Sequence, residues 1–277
     1  GFSKDCVEAL VRWDGVSMDN ACWFESWCHI WNSLRSGVFV RMAKLMSDAG
    51  SEYAELFQMI ARKDTMAWVD GHASPQGFAQ KVDVSWGSGR YNSAGQLVAL
   101  VYARSFPEDP DAQRIVDWAA RQSRYLLGDN EVNGDPRGKS FMMGFTDLSP
   151  NTPKEPHHAA GHASIYGEPD VPEENRHILW GALVNGPSSS DAHHDNRGDC
   201  GSNEGAIDYN PAGVGALAGN AYFQAEKEGG WCPDPSFPPA EPPAQEFYTM
   251  ARLNAAGSCR TQVAVTMMNE SVHPPRF

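Results

Sequence analysis

Residues 195–210, DNRGDCGSNEGAIDYN, place Asp195, Asp199, Glu204 and Asp208 within one short stretch. Such a stretch can hold a metal ion, carry acid–base catalysis, or form a solvated acidic loop. An EF-hand calcium loop needs D-x-[DN]-x-[DN]-G-x5-E. Counted from Asp195, the third place is Arg197 and the last is Ala206, so that pattern fails. A looser set of oxygen ligands remains open. The catalytic reading has a physical basis. Glu204 precedes the small residues Gly205 and Ala206 and lies close to Tyr209. A carboxyl group among apolar neighbours has a raised pKa and can keep its proton near neutral pH, as a general acid must. Asp195 and Asp199 are placed to orient Glu204 or its substrate.

Other segments carry further candidates. Residues 140–164, SFMMGFTDLSPNTPKEPHHAAGHAS, hold His157, His158 and His162. A lone histidine is more often structural, whereas the adjacent pair is a candidate metal ligand set. Residues 83–103, DVSWGSGRYNSAGQLVALVYA, lead from Trp86 and Arg90 into an apolar run. An aromatic ring such as Trp86 fits a core or a flat platform for a sugar. Residues 175–187, NRHILWGALVNGP, form an apolar segment punctuated by glycine.

The elements that must position these residues are mostly helical. Apolar spacing predicts helices over 36–46, 51–71, 94–106, 109–128 and 212–230. Ser51 is the expected N-cap of the second, Pro107 ends the third and Gly128 closes the fourth. Between 129 and 211, Gly, Pro, Asn, Asp and His dominate without a long periodic segment. Ordered loops of such length are usually functional. The architecture expected is a helical scaffold with one rim of long loops. PDPSFPPAEPPAQ (233–245) reads as an extended linker. FYTMARL and TQVAVTMM then read as two strands around a turn containing Gly257, a pair too small to be stable alone.

Composition narrows the partners. A net charge of -13 over 277 residues argues against nucleic acid, whose phosphates attract basic clusters. No apolar run reaches the roughly 18–20 residues that span a bilayer. The start, GFSKDCVEAL, has neither Met nor a signal-peptide pattern, and reads as the inside of a longer protein. Six cysteines, Cys6, Cys22, Cys28, Cys200, Cys232 and Cys259, fit no zinc spacing; pairing of some, or scattered buried thiols, both fit.

In order, these segments resemble one family, the family 9 glycoside hydrolases, mainly cellulases. Its W-G-S-x-R-Y segment is matched by Trp86, Gly87, Ser88, Arg90 and Tyr91. YLLGDN (125–130) matches Y-x-L-G-D-N, and SFMMGF followed by PHH matches S-[FY]-V-V-G-F and P-H-H-R. Residues 176–187 match R-H-x-L-x-G-A-L-V-x-G-P, and 195–210 match D-x-R-x-D-Y-x-x-N-E-x-A-x-D-Y-N. The resemblance implies an all-α fold, part of an (α/α)6 barrel with long loops forming the site, followed by the start of a β-sandwich module. It implies a catalytic domain over 1–232 lacking its N-terminal portion, a linker over 233–245, and from 246–277 the beginning of a family 3-like carbohydrate-binding module. It implies inverting hydrolysis of β-1,4-glucosidic bonds, with Glu204 as general acid, Asp195 as a supporting aspartate and His157 at the cleavage point. Trp86, Arg90, Tyr209 and His158 would bind substrate, a β-glucan or cello-oligosaccharide. No nucleic acid, membrane or catalytic cofactor is implied; calcium would serve structure alone, and the setting would be extracellular.

The chain also departs from the pattern. Ala159 replaces the Arg of P-H-H-R, Cys200 replaces a Tyr, and Pro211 replaces a small residue after D-Y-N. Inversion needs a second carboxyl group, which the family draws from a D-A-G-D motif. DAGS at 48–51 follows a segment that aligns with a later helix, and reads as a helix-to-helix turn, so the base is expected outside this chain. Two other readings follow: a glucan-binding or cell-wall relative without the base, and a metal-dependent hydrolase built on the histidines.

Overall fold

The computed structural model describes residues 34–80, 86–162, 175, 177–228, 247–255 and 261–269. Cys6, Cys22, Cys28, Cys232, Cys259, Gly257 and the linker at 233–245 lie outside these residues. Cys200 is a free thiol.

Among the described residues, five long helices make the scaffold. α1 (Arg35–Asp48) buries Phe39, Val40, Met42, Ala43 and Met46 along one face. DAGS is indeed a turn: Ala49 N–H closes on Leu45 O, and Gly50 adopts φ +60°, the left-handed region where glycine is unstrained. α2 (Ala54–Val69) follows. Ser51 does not cap it; the N-cap is Tyr53, and Ser51 Oγ accepts instead from Tyr53 N at 3.3 Å, a turn ahead of the helix.

α3 (Ser88–Ser105) starts at Ser88 rather than Ala94. Its first turns bury Ser88, Gly89, Asn92 and Ser93 and leave Arg90 and Tyr91 half-buried, so no apolar period marks them. α4 (Ala112–Leu126) is the most cleanly amphipathic, burying Ile115, Val116, Trp118, Ala119, Tyr125 and Leu126. α1 packs on α2, while α3 lies between α4 and the last long helix. Numbered after two short helices, α5 (Ala159–His162) and α6 (Cys200–Asn203), that helix is α7 (Asn210–Glu228). Gly215 and Gly219 of α7 sit so close to Leu97 and Leu100 of α3 that an added Cβ would come within 2.8 and 2.9 Å of them.

The main core joins α1 to α4 through Phe39, Phe57, Ile60, Trp68, Tyr102, Ile115 and Trp118. Burying such side chains stabilises by about 1.5–3 kcal/mol each before entropy is counted. A second cluster underlies the loops and contains Phe78, Tyr125, Phe141, Met143, Leu183 and Val184. Phe78 and Tyr125 stack at 4.7 Å between ring centroids, and Tyr125 and Phe141 lie parallel at 6.3 Å. This cluster is the floor on which the loop segments rest.

Two strands, β1 (Phe247–Ala255) and β2 (Thr261–Asn269), form an antiparallel hairpin, with Phe247 opposite Asn269 and Ala255 opposite Thr261. Val263, Val265 and Met267 alternate onto one exposed face. The hairpin packs on none of the described helices.

Candidate active site

Four extended segments lie side by side above the second cluster. Isolated bridges pair Met142 with Leu183, Val184 with Gly205, and Glu204 with His157. Asn185 N–H donates to Glu204 O at 3.0 Å, and His157 N–H donates to Asn203 O at 2.8 Å. Backbone bonds therefore bring Glu204 and His157 together across 47 positions of sequence. The N-terminus of α3 joins the same layer. Gly89 N–H reaches Asn185 O at 2.5 Å, and a Cβ at Gly89 would lie 3.0 Å from that oxygen. Only glycine permits so close an approach without displacement. Ser88 Oγ adds a bond to Pro187 O at 2.6 Å.

This junction sets Trp86 beside Glu204. Trp86 Nε1–H donates to Glu204 Oε2 at 2.9 Å, and Tyr209 O–H donates to the same oxygen at 2.5 Å. Trp86 Nε1 also lies 3.0 Å from Tyr209 Oη. Both donors fall on Oε2; Oε1 takes no hydrogen bond among the described residues. Tyr209 is buried at 1% exposure, whereas Trp86 keeps 44% of its surface open. Burial, then the bond to Glu204, raises the Tyr209 pKa well above its ordinary value, so it stays a phenol that donates.

Arg90 stacks over Tyr209 at 4.8 Å and over Tyr91 at 4.5 Å. Its guanidinium donates to Asp208 Oδ2 at 2.8 Å and to Tyr91 Oη at 2.8 Å. Burial works against its charge, but the Asp208 bond and the neighbouring Tyr91 and Tyr209 outweigh it, and its pKa is raised. Arg90 thus lies against the Tyr209 ring and pairs with Asp208.

The other carboxylates have separate tasks. Asp195 accepts from the backbone N–H of Lys154 at 2.8 Å and of Glu155 at 3.1 Å, and from Asn203 Nδ2 at 3.0 Å. It therefore reaches Glu204 through Asn203, its chain neighbour. Asp199 caps α6, accepting from Ser202 N at 3.2 Å and Ser202 Oγ at 2.6 Å. The Ser202 hydroxyl in particular lowers its pKa. Asp199 makes no hydrogen bond to Glu204 among the described residues.

His157 Nδ1 bonds to Arg197 O at 2.7 Å, which makes Nδ1 the protonated nitrogen and leaves Nε2 as the acceptor of an exposed side chain. His158 turns to its own loop: its Nδ1 accepts from Ala160 N at 3.2 Å. The structure thus gathers Trp86, Arg90, Glu204 and Tyr209 by side chain, His157 by backbone and Asp195 through Asn203, while no hydrogen bond among the described residues ties His158 to them. Among the described residues, no group of three or more His, Cys, Asp or Glu is arranged to hold a metal.

Sequence reasoning missed Asn203, Asn185, Lys139 and His193. Asn203 had a signal, since it stands directly before Glu204 inside the matched signature. Lys139 and His193 had none; they meet across 54 positions.

Fold and site define a class: a carboxyl group held by two aromatic donors on loops above a helical scaffold. The chain belongs to glycosyl hydrolase family 9, whose model matches residues 8–217. Endoglucanase B of Cellulomonas fimi is 32% identical over 291 aligned positions, covering 100% of this chain and 26% of its own length. Endoglucanase A of Bacillus pumilus is 36% identical over 191 residues, covering 69% of this chain and 27% of its own. Endoglucanase CelQ of Clostridium thermocellum, solved with cellobiose and cellotriose, superposes with a TM-score of 0.67 at 33% identity, over 89% of this chain and 39% of that one. The chain thus spans about a quarter of the length of these two sequence relatives.

Proposed function

We propose that this chain supplies the acid side of an inverting β-1,4-glucan hydrolase. The observation that carries the reading is the bonding of Glu204. Two donors occupy Oε2, so a proton on the carboxyl group belongs on Oε1, the oxygen left for a glycosidic leaving group. Glu204 gives that proton as the bond breaks. Exposed Trp86 offers a flat face to a sugar ring, and His157 Nε2 is placed to bond a hydroxyl. Asp195 is a supporting residue, and His158 a further substrate contact. Inversion needs a second carboxylate about 6.5–9.5 Å from the first. Asp48 is paired with Lys44 at the end of α1, and we assign the base to a carboxylate outside these residues.

The substrate is a β-glucan or cello-oligosaccharide; the relatives' names and the sugars bound to CelQ support this. The chemistry runs on carboxyl groups and water, so we assign it no cofactor, and give any calcium a structural role alone. The helices form part of an (α/α)6 barrel over 1–232, with 233–245 as linker. The exposed apolar face of the hairpin supports residues 246–277 as the start of a β-sandwich carbohydrate-binding module. The setting is extracellular.

The test is Glu204→Gln in the full protein, assayed on carboxymethylcellulose and by cello-oligosaccharide binding. Hydrolysis should vanish while binding persists. Turnover equal to the parent's would sink the assignment. Binding without turnover in the parent itself would favour the glucan-binding alternative, which Ala159 in place of an arginine also favours.

A further inference from the structure

Beneath Asp195 lies a group that no motif marks. Lys139 Nζ sits 3.1 Å from His193 Nδ1 and 3.9 Å from Asp195 Oδ2, with its side chain only 14% exposed. An ammonium has donors and no acceptor, so His193 Nδ1 accepts and the ring is neutral. Burial first, and Lys139 second, lower the His193 pKa to about 4, while Asp195, Ser202 and Asp199 act the other way. Burial also lowers the Lys139 pKa, and Asp195 opposes that.

The pair is held by two asparagines of one loop. Asn130 accepts from Lys139 N at 2.8 Å and donates to Lys139 O at 2.8 Å. Asn133 accepts from His193 N at 2.9 Å and donates to His193 O at 2.8 Å. Each side-chain amide thus grips one residue's backbone at both polar atoms. Phe141 packs against the His193 ring, edge to face, at 5.1 Å. A buried cation is costly without a purpose or a partner. Its nearest carboxylate is Asp195, which fixes the 154–155 backbone and Asn203, and through them His157 and Glu204.

We propose that Lys139 is a positioning residue for the reaction. Its charge, aimed by His193, holds Asp195 in the orientation that sets Glu204 and His157 in register. The inference rests on Glu204 being the acid. A misplacement of about 1 Å at a reacting group can cost on the order of 10²-fold in rate.

The experiment replaces Lys139 in the full protein by Met, by Gln and by Arg, with Glu204→Gln alongside. Lys139→Gln keeps a donor for His193 without the charge, and carries the comparison if Lys139→Met fails to fold. We expect kcat on a soluble cello-oligosaccharide to fall by on the order of 10²-fold in the uncharged variants. Affinity and melting temperature should hold, and Lys139→Arg should recover part of the rate. Parent-like kcat in Lys139→Gln would overturn the inference. So would kcat, affinity and melting falling together, which marks a merely structural residue, or an Arg variant no better than Gln. Turnover surviving in Glu204→Gln would instead remove the reading of the site on which the inference stands.

Discussion

At the scale of single residues, the site depends on where two protons are given. Tyr209 and Trp86 both donate to Glu204 Oε2. Tyr209→Phe removes one donor while keeping the ring under Arg90. A hydrogen bond to a charged group is worth about 1.5–3 kcal/mol. We expect kcat/KM to fall about tenfold or further, measured on an aryl cellobioside, with the melting temperature nearly unchanged. The types and spacing of Glu204, Tyr209, Trp86 and Arg90 were enough to single them out. Their bonding was not, because nothing in the spacing says which carboxyl oxygen a donor reaches. Asp199 shows the opposite failure: a carboxylate near Glu204 in sequence that serves a helix end.

At the scale of elements, the helices were legible wherever one face is apolar. α4 could be read from its period, whereas the start of α3 could not, because buried Ser88, Gly89, Asn92 and Ser93 look like a loop. What holds that start is polar. Gln96 Nε2 donates to Asn92 Oδ1 at 2.6 Å, Ser123 Oγ donates to Gln96 Oε1 at 2.5 Å, and Asn220 Nδ2 donates to Ser123 Oγ at 2.8 Å. This buried chain ties α3 to α4 and α7. Gln96→Leu takes the donor from Asn92 Oδ1 and the acceptor from the Ser123 hydroxyl proton, and should cost about 2–3 kcal/mol, read from the urea midpoint. Arg114→Ala, which removes surface pairs with Asp70 and Asp111, is the comparison and should cost under about 1 kcal/mol.

At the scale of the whole molecule, acid sensitivity follows from His193. Its folded pKa is near 4, against about 6.5 for a free imidazole. Between these values the unfolded chain takes up a proton that the folded chain does not. Stability is therefore complete above about 6.5 and is lost as pH falls toward 4, by up to about 3 kcal/mol. Asp109 and Asp199, held below the usual carboxylate range, release their share only under about pH 4, so the windows separate. Thermal melting from pH 7 to 4 should show the decline, and His193→Gln should flatten it; an equally steep decline in that variant would refute the assignment. The helical class of the molecule was readable from periodicity, and the concentration of loop-borne site residues in 129–211 from composition, with Trp86 and Arg90 joining them from the start of α3. The order in which those loop segments lie side by side was not, because it is set by bridges between distant backbones.

The two asparagine grips carry one more consequence. Asn133 holds φ +58°, a conformation that asparagine tolerates better than most residues. Its amide and that of Asn130 imitate the edge of a neighbouring strand, bonding to main chain alone. The identities of residues 139 and 193 are therefore invisible to the loop that places them. Chemistry and placement are set by different residues here. A change at 139 or 193 alters what the pair does and not where it sits, while a change at 130 or 133 does the reverse. Two positions can drift in function while their address stays fixed, which makes this corner of the molecule an easy place for selection, or an engineer, to retune the site without rebuilding it.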